Sequence, residues 1–284
     1  MKYKVLYNPL AGKVNDTSFF DDLKRIYPDD KIEYYDITKI DYAGFVKDLT
    51  DGESLIIAGG DGTLNRYINE TAEMNMPVPV YYYAAGNGND FWTDLGKQAG
   101  DKPVELAPYI ADLPEVEVNG KKYKFINGVG FGIDGYCCEV GDKLKAADKK
   151  VNYTGIAIKG LLFHYKPAKA KVTVDGVTRQ YKKVWIAPTM NGRMYGGGML
   201  PTPAQDRLNP ERTVSTCVFH KSGKLKTLMI FPSLFKGEHI KKKKNVEILS
   251  GKEVTVEFEK PCALQIDGET ILGVTKYTVT SAKK

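Results

Sequence analysis

The sequence predicts an N-terminal α/β domain on a doubly wound, mainly parallel sheet, followed by a β-sandwich-rich C-terminal domain. Three observations carry this. Strand-like and helix-like segments alternate through the first hundred residues, the pattern of a sheet with crossover helices. Pro103, Pro108 and Pro114 then punctuate a stretch unsuited to a long regular element. Beyond it the hairpin dipeptides Asn119-Gly120, Asp175-Gly176 and Asp267-Gly268 each sit between strand-like runs. At about 150 residues per domain, the 284 residues make two domains, placed at 1–116 and 117–284, with the extreme C-terminus free to return to the first.

In chain order, Lys4–Tyr7 reads as a strand ending in the polar loop Asn8-Pro9-Leu10-Ala11-Gly12. Ser18–Ile26 reads as a helix with Phe19, Leu23 and Ile26 on one face, Ser18 being its candidate cap. A strand over Ile32–Ile37 and a short helix over Tyr42–Leu49 follow. Leu55-Ile56-Ile57-Ala58 is a continuous apolar run, as in a strand covered on both faces. Thr63–Met74 is helical and Val78–Tyr83 is the next strand. In the second half, Thr213–His220 and Lys252–Glu259 alternate as strands do, while Tyr136–Lys149 and Lys224–Phe235 are predicted helices.

Composition excludes several classes. Apolar residues at 42% and charged residues at 27% fit a globular chain rather than a disordered or fibrous one. The balance of 41 Lys and Arg against 35 Asp and Glu gives +6, a mild bias towards anionic partners. No apolar run approaches a membrane span, and the first residues turn polar too soon for a secretory signal. Four cysteines lack zinc-type spacing and form no disulfide framework, so a cytoplasmic protein with reduced thiols is the expectation. Nucleic-acid binding is disfavoured, because no basic stripe is interleaved with aromatics.

The richest chemistry lies in Gly59-Gly60-Asp61-Gly62-Thr63-Leu64-Asn65, a glycine turn between a buried strand and a helix. Its backbone N–H groups can converge on a phosphate at a helix N-terminus. Asp61 would repel a bare phosphate but could hold Mg²⁺ beside one; the plainer alternative is a turn with Asp61 capping the helix. A second loop, Gly86-Asn87-Gly88-Asn89-Asp90, repeats the plan, and the pair favours a nucleotide–metal site. Gly130-Phe131-Gly132-Ile133-Asp134-Gly135 fits a dinucleotide fingerprint, but no Asp or Glu lies between Lys149 and Val174 to hold a ribose, so that match reads as accidental. Ile156-Ala157-Ile158-Lys159 lacks the other protein-kinase signatures, and no Walker A sequence occurs. His164, His220 and His239 have no metal spacing, and no Ser sits in a nucleophile elbow. Asp267-Gly268 is by itself a hairpin signal; the adjacent Glu269 would suit a general base for a hydroxyl.

These motifs, in order, resemble the catalytic-domain family of diacylglycerol kinases and related bacterial lipid kinases. Asn8-Pro9 with Gly12 is similar to its first nucleotide loop, Gly59 to Asn65 to its signature, and Gly86 with Asn89-Asp90-Phe91 to its second loop. Asn127 to Asp134, then Gly196-Gly197-Gly198 with Pro203-Ala204 and Asp206, and finally Gln265 to Glu269 continue the pattern. The Gly-Gly-Asp-Gly-Thr element is shared with NAD kinases. The resemblance implies ATP and Mg²⁺ as cofactors and a lipid hydroxyl as acceptor. It places Asn8, Pro9, Gly12, Thr38, Gly59, Gly60, Gly62, Thr63, Asn65, Arg66, Gly86 and Asn87 around ATP. It implies a water-linked Mg²⁺ network of Asp61, Asp90 and Asp134, with Glu269 as base, Asp267 beside it, and the acidic groups facing a common cleft. Asp206 would hold an accessory structural Mg²⁺. Two departures stand out: Asn87 replaces the usual Thr, and Asn209 replaces the second Asp of the accessory metal segment.

A lipid acceptor implies work at a membrane surface, with peripheral contact at its inner face, and leaves a homodimer open. Lys236 and Lys241 to Lys244 near Phe231, Leu234 and Phe235 could meet an anionic leaflet at up to about 1 kcal/mol per lysine, or form an ordinary solvated loop. Asn152–Tyr165 is apolar enough for an acyl-chain pocket and equally for a packed helix. Two other functions compete: a soluble-acceptor kinase of NAD kinase type, and a catalytically weak nucleotide- or lipid-binding regulatory protein.

Overall fold

The strand Glu53–Gly59 is buried at every residue, because neighbours on both edges and cover on both faces leave no side exposed to water. In the computed structural model, which describes residues 1–11 and 18–281, it is β3 of a five-stranded sheet. The others are β1 (Lys2–Tyr7), β2 (Lys31–Asp36), β4 (Val80–Ala84) and β5 (Val104–Glu105), in the order β2-β1-β3-β4-β5. All pairs are parallel except β4 with β5. Helices α1 (Ser18–Ile26), α2 (Tyr42–Lys47), α3 (Asp61–Glu70), α4 (Asp90–Asp94) and α5 (Ala107–Ile110) lie between or after the strands. Helix α3 begins two residues before its predicted start, because extended Gly60 (φ −89°, ψ −177°) lets Asp61 enter the first turn. These elements form one unit, Met1–Ala111; a second comprises Asp112–Lys284.

The second unit is an antiparallel β domain with inserted helices. Its strands are β6 (Glu115–Val118), β7 (Lys121–Lys124), β8 (Gly128–Gly132), β9 (Ala168–Val174), β10 (Val177–Val184), β11 (Ile186–Met190), β12 (Val214–Phe219), β13 (Val246–Gly251), β14 (Glu253–Ile266) and β15 (Glu269–Thr280). The main path runs β13-β12-β11-β8-β14-β15-β6-β7, with the β9–β10 hairpin joined to β14. Strand β14 makes the sandwich. Its first half pairs with β9 over Val254–Phe258, its register then shifts, and Leu264–Ile266 pair with β8. Both residues of each predicted hairpin turn take positive φ: 51° and 74° at Asn119-Gly120, 47° and 81° at Asp175-Gly176, 47° and 96° at Asp267-Gly268. These are the angles of a two-residue turn that matches strand twist.

Helix α6 (Ile133–Ala146) leaves β8 directly, three residues before its predicted start. Gly132, at φ 128°, makes the corner, and a Cβ there would overlap the Trp185 carbonyl. Helix α7 (Tyr153–Lys159), capped by the Asn152 side chain accepting from Gly155 N–H, runs into a π-helical turn over Gly160–His164. The predicted helix Lys224–Phe235 divides into α8 (Lys224–Ile230) and a 3₁₀ turn over Phe231–Lys236. Pro232, lacking an N–H, cannot extend an α-helix. Two cores result: Phe131, Val254 and Tyr277 centre the one between the sheet layers, while Leu161, Trp185 and Phe219 centre the one under the helices.

Candidate active site

In the first unit the ends of β1, β3 and β4 carry the predicted loops. The Asp61 carboxylate accepts from the backbone N–H groups of Asp90 (2.7 Å) and Phe91 (3.0 Å), so it holds the second glycine loop against the first. A Cβ on Gly86 would overlap the Gly60 backbone, so the loops cross at two residues without side chains. Asn89, in the left-handed region at φ 50°, closes its own loop by accepting from Gly86 N–H and donating to Gly86 carbonyl. Asn8 Nδ2 donates to Thr63 Oγ1 at 2.8 Å, tying the loop after β1 to α3. Gly59 admits the Thr63 side chain, which a Cβ there would displace. Asn65 and Asp90 are buried. Gly62 lies in the first turn of α3, while Pro9 and Asn87 are exposed.

Two predicted nucleotide residues stand differently. Thr38 is exposed and donates to Asp36 Oδ1 at 2.6 Å, shaping the turn after β2. Arg66 is exposed and pairs with Glu70 at 2.6 Å one helical turn on. Gly12 lies outside the described residues.

In the second unit, Asp134 sits in the first turn of α6, where the helix dipole favours a negative charge. It is buried, and neither carboxylate oxygen has a hydrogen-bond partner of good geometry. Burial pushes its pKa up to about 6; nearby backbone N–H groups, the Tyr195 hydroxyl and the Gln265 amide pull the other way. Tyr195 Oη and Gln265 Nε2 are themselves buried and unpartnered. Sequence reasoning missed Tyr195, and used Gln265 only as part of a motif; nothing local marks them, since three distant segments bring the cluster together. The glycines of the apparent dinucleotide fingerprint have packing roles. A Cβ on Gly130 would overlap the Asp134 carboxylate, and one on Gly135 would overlap the Ala263 carbonyl.

Asp267 has a structural task. Its oxygens accept from Ile126, Asn127 and Gly128 N–H at 2.7, 2.9 and 2.8 Å, and its own N–H donates to Gly128 carbonyl. The β14–β15 turn is thereby fixed to the start of β8. Glu269, the first residue of β15, is exposed, and next to it Thr270 Oγ1 donates to Asp142 of α6 at 2.7 Å. Asp267 positions the turn, while the Glu269 side chain beside it is open to solvent.

The metal candidates divide. Among the described residues no three His, Cys, Asp or Glu side chains converge as a ready-made metal centre. Within the second unit, the orphaned oxygens of Asp134 are of the type a hard cation takes; within the first, Asp61 and Asp90 bring two carboxylates to the crossing of the glycine loops. Asp206 does not fit. Its Oδ1 accepts from Leu208 N–H, and Asn209 Nδ2 donates to the carbonyls of Asp206 (2.7 Å) and Thr213 (3.0 Å). Gln205 Nε2 donates to Thr213 carbonyl as well, at 2.9 Å. Thr213 N–H donates to Asn209 Oδ1, which fixes the orientation of that amide. Residue 209 thus presents N–H donors where a cation needs oxygens.

Burial pushes the thiols of Cys137, Cys138 and Cys262 up to about 12, and all four cysteines are unpaired. No described helix is long and apolar enough to cross a membrane.

Comparison with known proteins agrees with this layout. The diacylglycerol kinase catalytic domain matches residues 2–116, and the YegS C-terminal NAD kinase beta sandwich-like domain matches residues 127–281. The "Putative lipid kinase YtlR" of Bacillus subtilis is 24% identical, covering 80% of this chain and 77% of its own length. A diacylglycerol kinase of Mycobacterium tuberculosis is 24% identical over 74% of this chain and 67% of its own. The crystal structure of "a putative diacylglycerol kinase from Bacillus anthracis" superposes with a TM-score of 0.66 at 19% identity, covering 98% of this chain and 91% of that one; this likeness concerns the fold. With both halves matched in order, the chain belongs to the diacylglycerol kinase catalytic-domain family of lipid kinases.

Proposed function

We propose that this protein is an ATP- and Mg²⁺-dependent kinase that transfers the γ-phosphoryl group to the hydroxyl of a lipid, diacylglycerol or a close analogue. The observation that carries the reading is the Asp61 lock. One carboxylate organises two glycine loops at neighbouring strand ends, where open α/β sheets bind nucleotides. Gly60 and Gly86 let the two loops cross backbone to backbone, and the α3 N-terminus adds positive charge. When bound, Mg²⁺ neutralises charge on the transferring phosphate. Asp61, Asp90 and Asp134 are the residues that would hold it, and Glu269 accepts the proton of the acceptor hydroxyl as the oxygen–phosphorus bond forms and ADP leaves. Asp61 and Asp90 belong to the first unit and Asp134 and Glu269 to the second.

The test is phosphorylation of a lipid panel with labelled ATP by wild type, Asp61→Ala and Glu269→Gln. Product with diacylglycerol or a related lipid, cut at least about 100-fold in both variants, is expected. Phosphorylation of NAD in place of every lipid would transfer the assignment to a soluble acceptor. ATP binding without turnover on any acceptor would make the chain a nucleotide-binding regulator. A cytoplasmic enzyme meeting the inner membrane face peripherally follows from the lipid acceptor.

A further inference from the structure

Resting on the lipid-kinase reading, the geometry points to the α8 face with the adjoining π-helical turn as the surface that docks on an anionic phospholipid bilayer. On α8, Leu225 and Met229 are one helical turn apart and point outward, 74% and 81% exposed, while Thr227 and Ile230 face the core. Phe163, 71% exposed, projects from the 160–164 turn. Lys224 Nζ donates to the Leu162 carbonyl at 2.7 Å, so the turn and the helix form one surface. Large apolar side chains at this exposure, grouped rather than scattered, mark an interaction site.

The charge around them selects the partner. No Asp or Glu occurs from Lys149 to Val174 or from Arg212 to Gly237, the two segments that build the surface, whereas Lys159, Lys224 and Lys226 lie within them. Apolar side chains on segments whose own charges are all cationic match a headgroup layer of negative phosphates over acyl chains. A protein partner would call for a mixed rim of polar groups. The surface is also placed for the reaction. Helix α7 runs antiparallel to α6: Tyr153 packs at Gly141, and Gly160 packs against Tyr136 and Ile133. The 160–164 turn therefore begins beside the first turn of α6, which carries Asp134. Of the apolar residues singled out in the sequence near Lys236, Leu234 is fully buried, whereas Phe235 is 42% exposed.

The experiment is sedimentation of the whole protein, without nucleotide, with vesicles of phosphatidylglycerol in phosphatidylcholine and with phosphatidylcholine alone. Wild type should partition to the anionic vesicles and not to the neutral ones. The double variant Leu225→Gln, Met229→Gln should partition about tenfold less, as should Lys226→Glu. Both should keep the wild-type rate on a short-chain diacylglycerol dissolved as monomers, which needs no docking. Equal partition of wild type and both variants would overturn the assignment. So would a wild-type dimer that the double variant dissociates, since the face would then belong to a second copy. Loss of the soluble activity in wild type would instead count against the kinase reading and leave the vesicle result standing.

Discussion

Asn209 donates its amide hydrogens to two backbone carbonyls, of Asp206 and Thr213, and takes the Thr213 N–H on its oxygen. With the Gln205 amide also donating to the Thr213 carbonyl, side-chain amides clamp the loop between Asp206 and Thr213. Asn209→Asp removes two donors and places a carboxylate against two carbonyl oxygens, at a cost on the order of 2–4 kcal/mol. The added oxygens would, however, form a cation site with Asp206. We expect a Tm for wild type that does not respond to a chelator, and a lowered Tm for Asn209→Asp that millimolar Ca²⁺ or Mg²⁺ restores. Thermal denaturation with and without EDTA reads both. A wild-type Tm that falls on chelation, or a variant that ignores cations, would contradict the amide clamp.

The elements that meet at the nucleotide loops owe their approach to a pair of glycines, and Gly86 has the tighter contact. Gly86→Ala would drive a methyl into the Gly60 backbone and part the loops, an overpacking cost of about 1–3 kcal/mol. Gly88→Ala is the control: its added Cβ would sit 3.5 Å from Asp61 Oδ2 in ordinary contact. Added ATP should raise the Tm of wild type and Gly88→Ala but not of Gly86→Ala; an undiminished ATP response in Gly86→Ala would refute the crossing. Elements fixed by local chemistry were legible in the sequence. The Asn-Gly and Asp-Gly turns are encoded in two residues, and the strand Leu55–Ala58 in one apolar run. The start of α6 was not, because the corner at Gly132 depends on the Trp185 carbonyl, distant in sequence. Nor was the route of β14, whose two halves pair with different strands. At the site, the glycine loops and Asp134 could be read from motif order. Tyr195 could not, and the anchoring of Asp267 under three N–H groups is a tertiary fact that an Asp-Gly turn does not announce.

Across the whole molecule, Glu53 of the first unit and Asp134 of the second are carboxylates perturbed in opposite directions, and each unit holds one of the two tryptophans, both buried: Trp92 and Trp185. In the first unit, Glu53 accepts from Lys2 Nζ at 2.7 Å, Thr50 N–H at 3.0 Å and Lys4 Nζ at 3.0 Å. These bonds hold its pKa down at about 2 against an ordinary 4.5. A depressed carboxylate contributes stability that is present above its unfolded value and lost as pH falls through the folded one. The first unit should therefore weaken between about pH 4.5 and 2. In the second unit, burial raises Asp134 from 3.8 to about 6. Its charge opposes folding fully above about pH 6 and not at all below about pH 4, so lowering the pH across that window strengthens the unit. Trp185→Phe leaves Trp92 to report the first unit, and Trp92→Phe leaves Trp185 to report the second. As pH falls from about 7 to 4.5, the Trp185 unfolding midpoint should rise while the Trp92 midpoint holds. Below about 4.5, the Trp92 midpoint should drop. In these backgrounds Glu53→Gln should flatten the acid limb of the first unit. Asp134→Asn should raise the midpoint of the second at neutral pH and erase its rise on acidification, while abolishing phosphoryl transfer. Midpoints that move together at both probes, or an Asp134→Asn variant that loses stability at neutral pH, would show that the buried carboxylate is not the strained group the structure makes it.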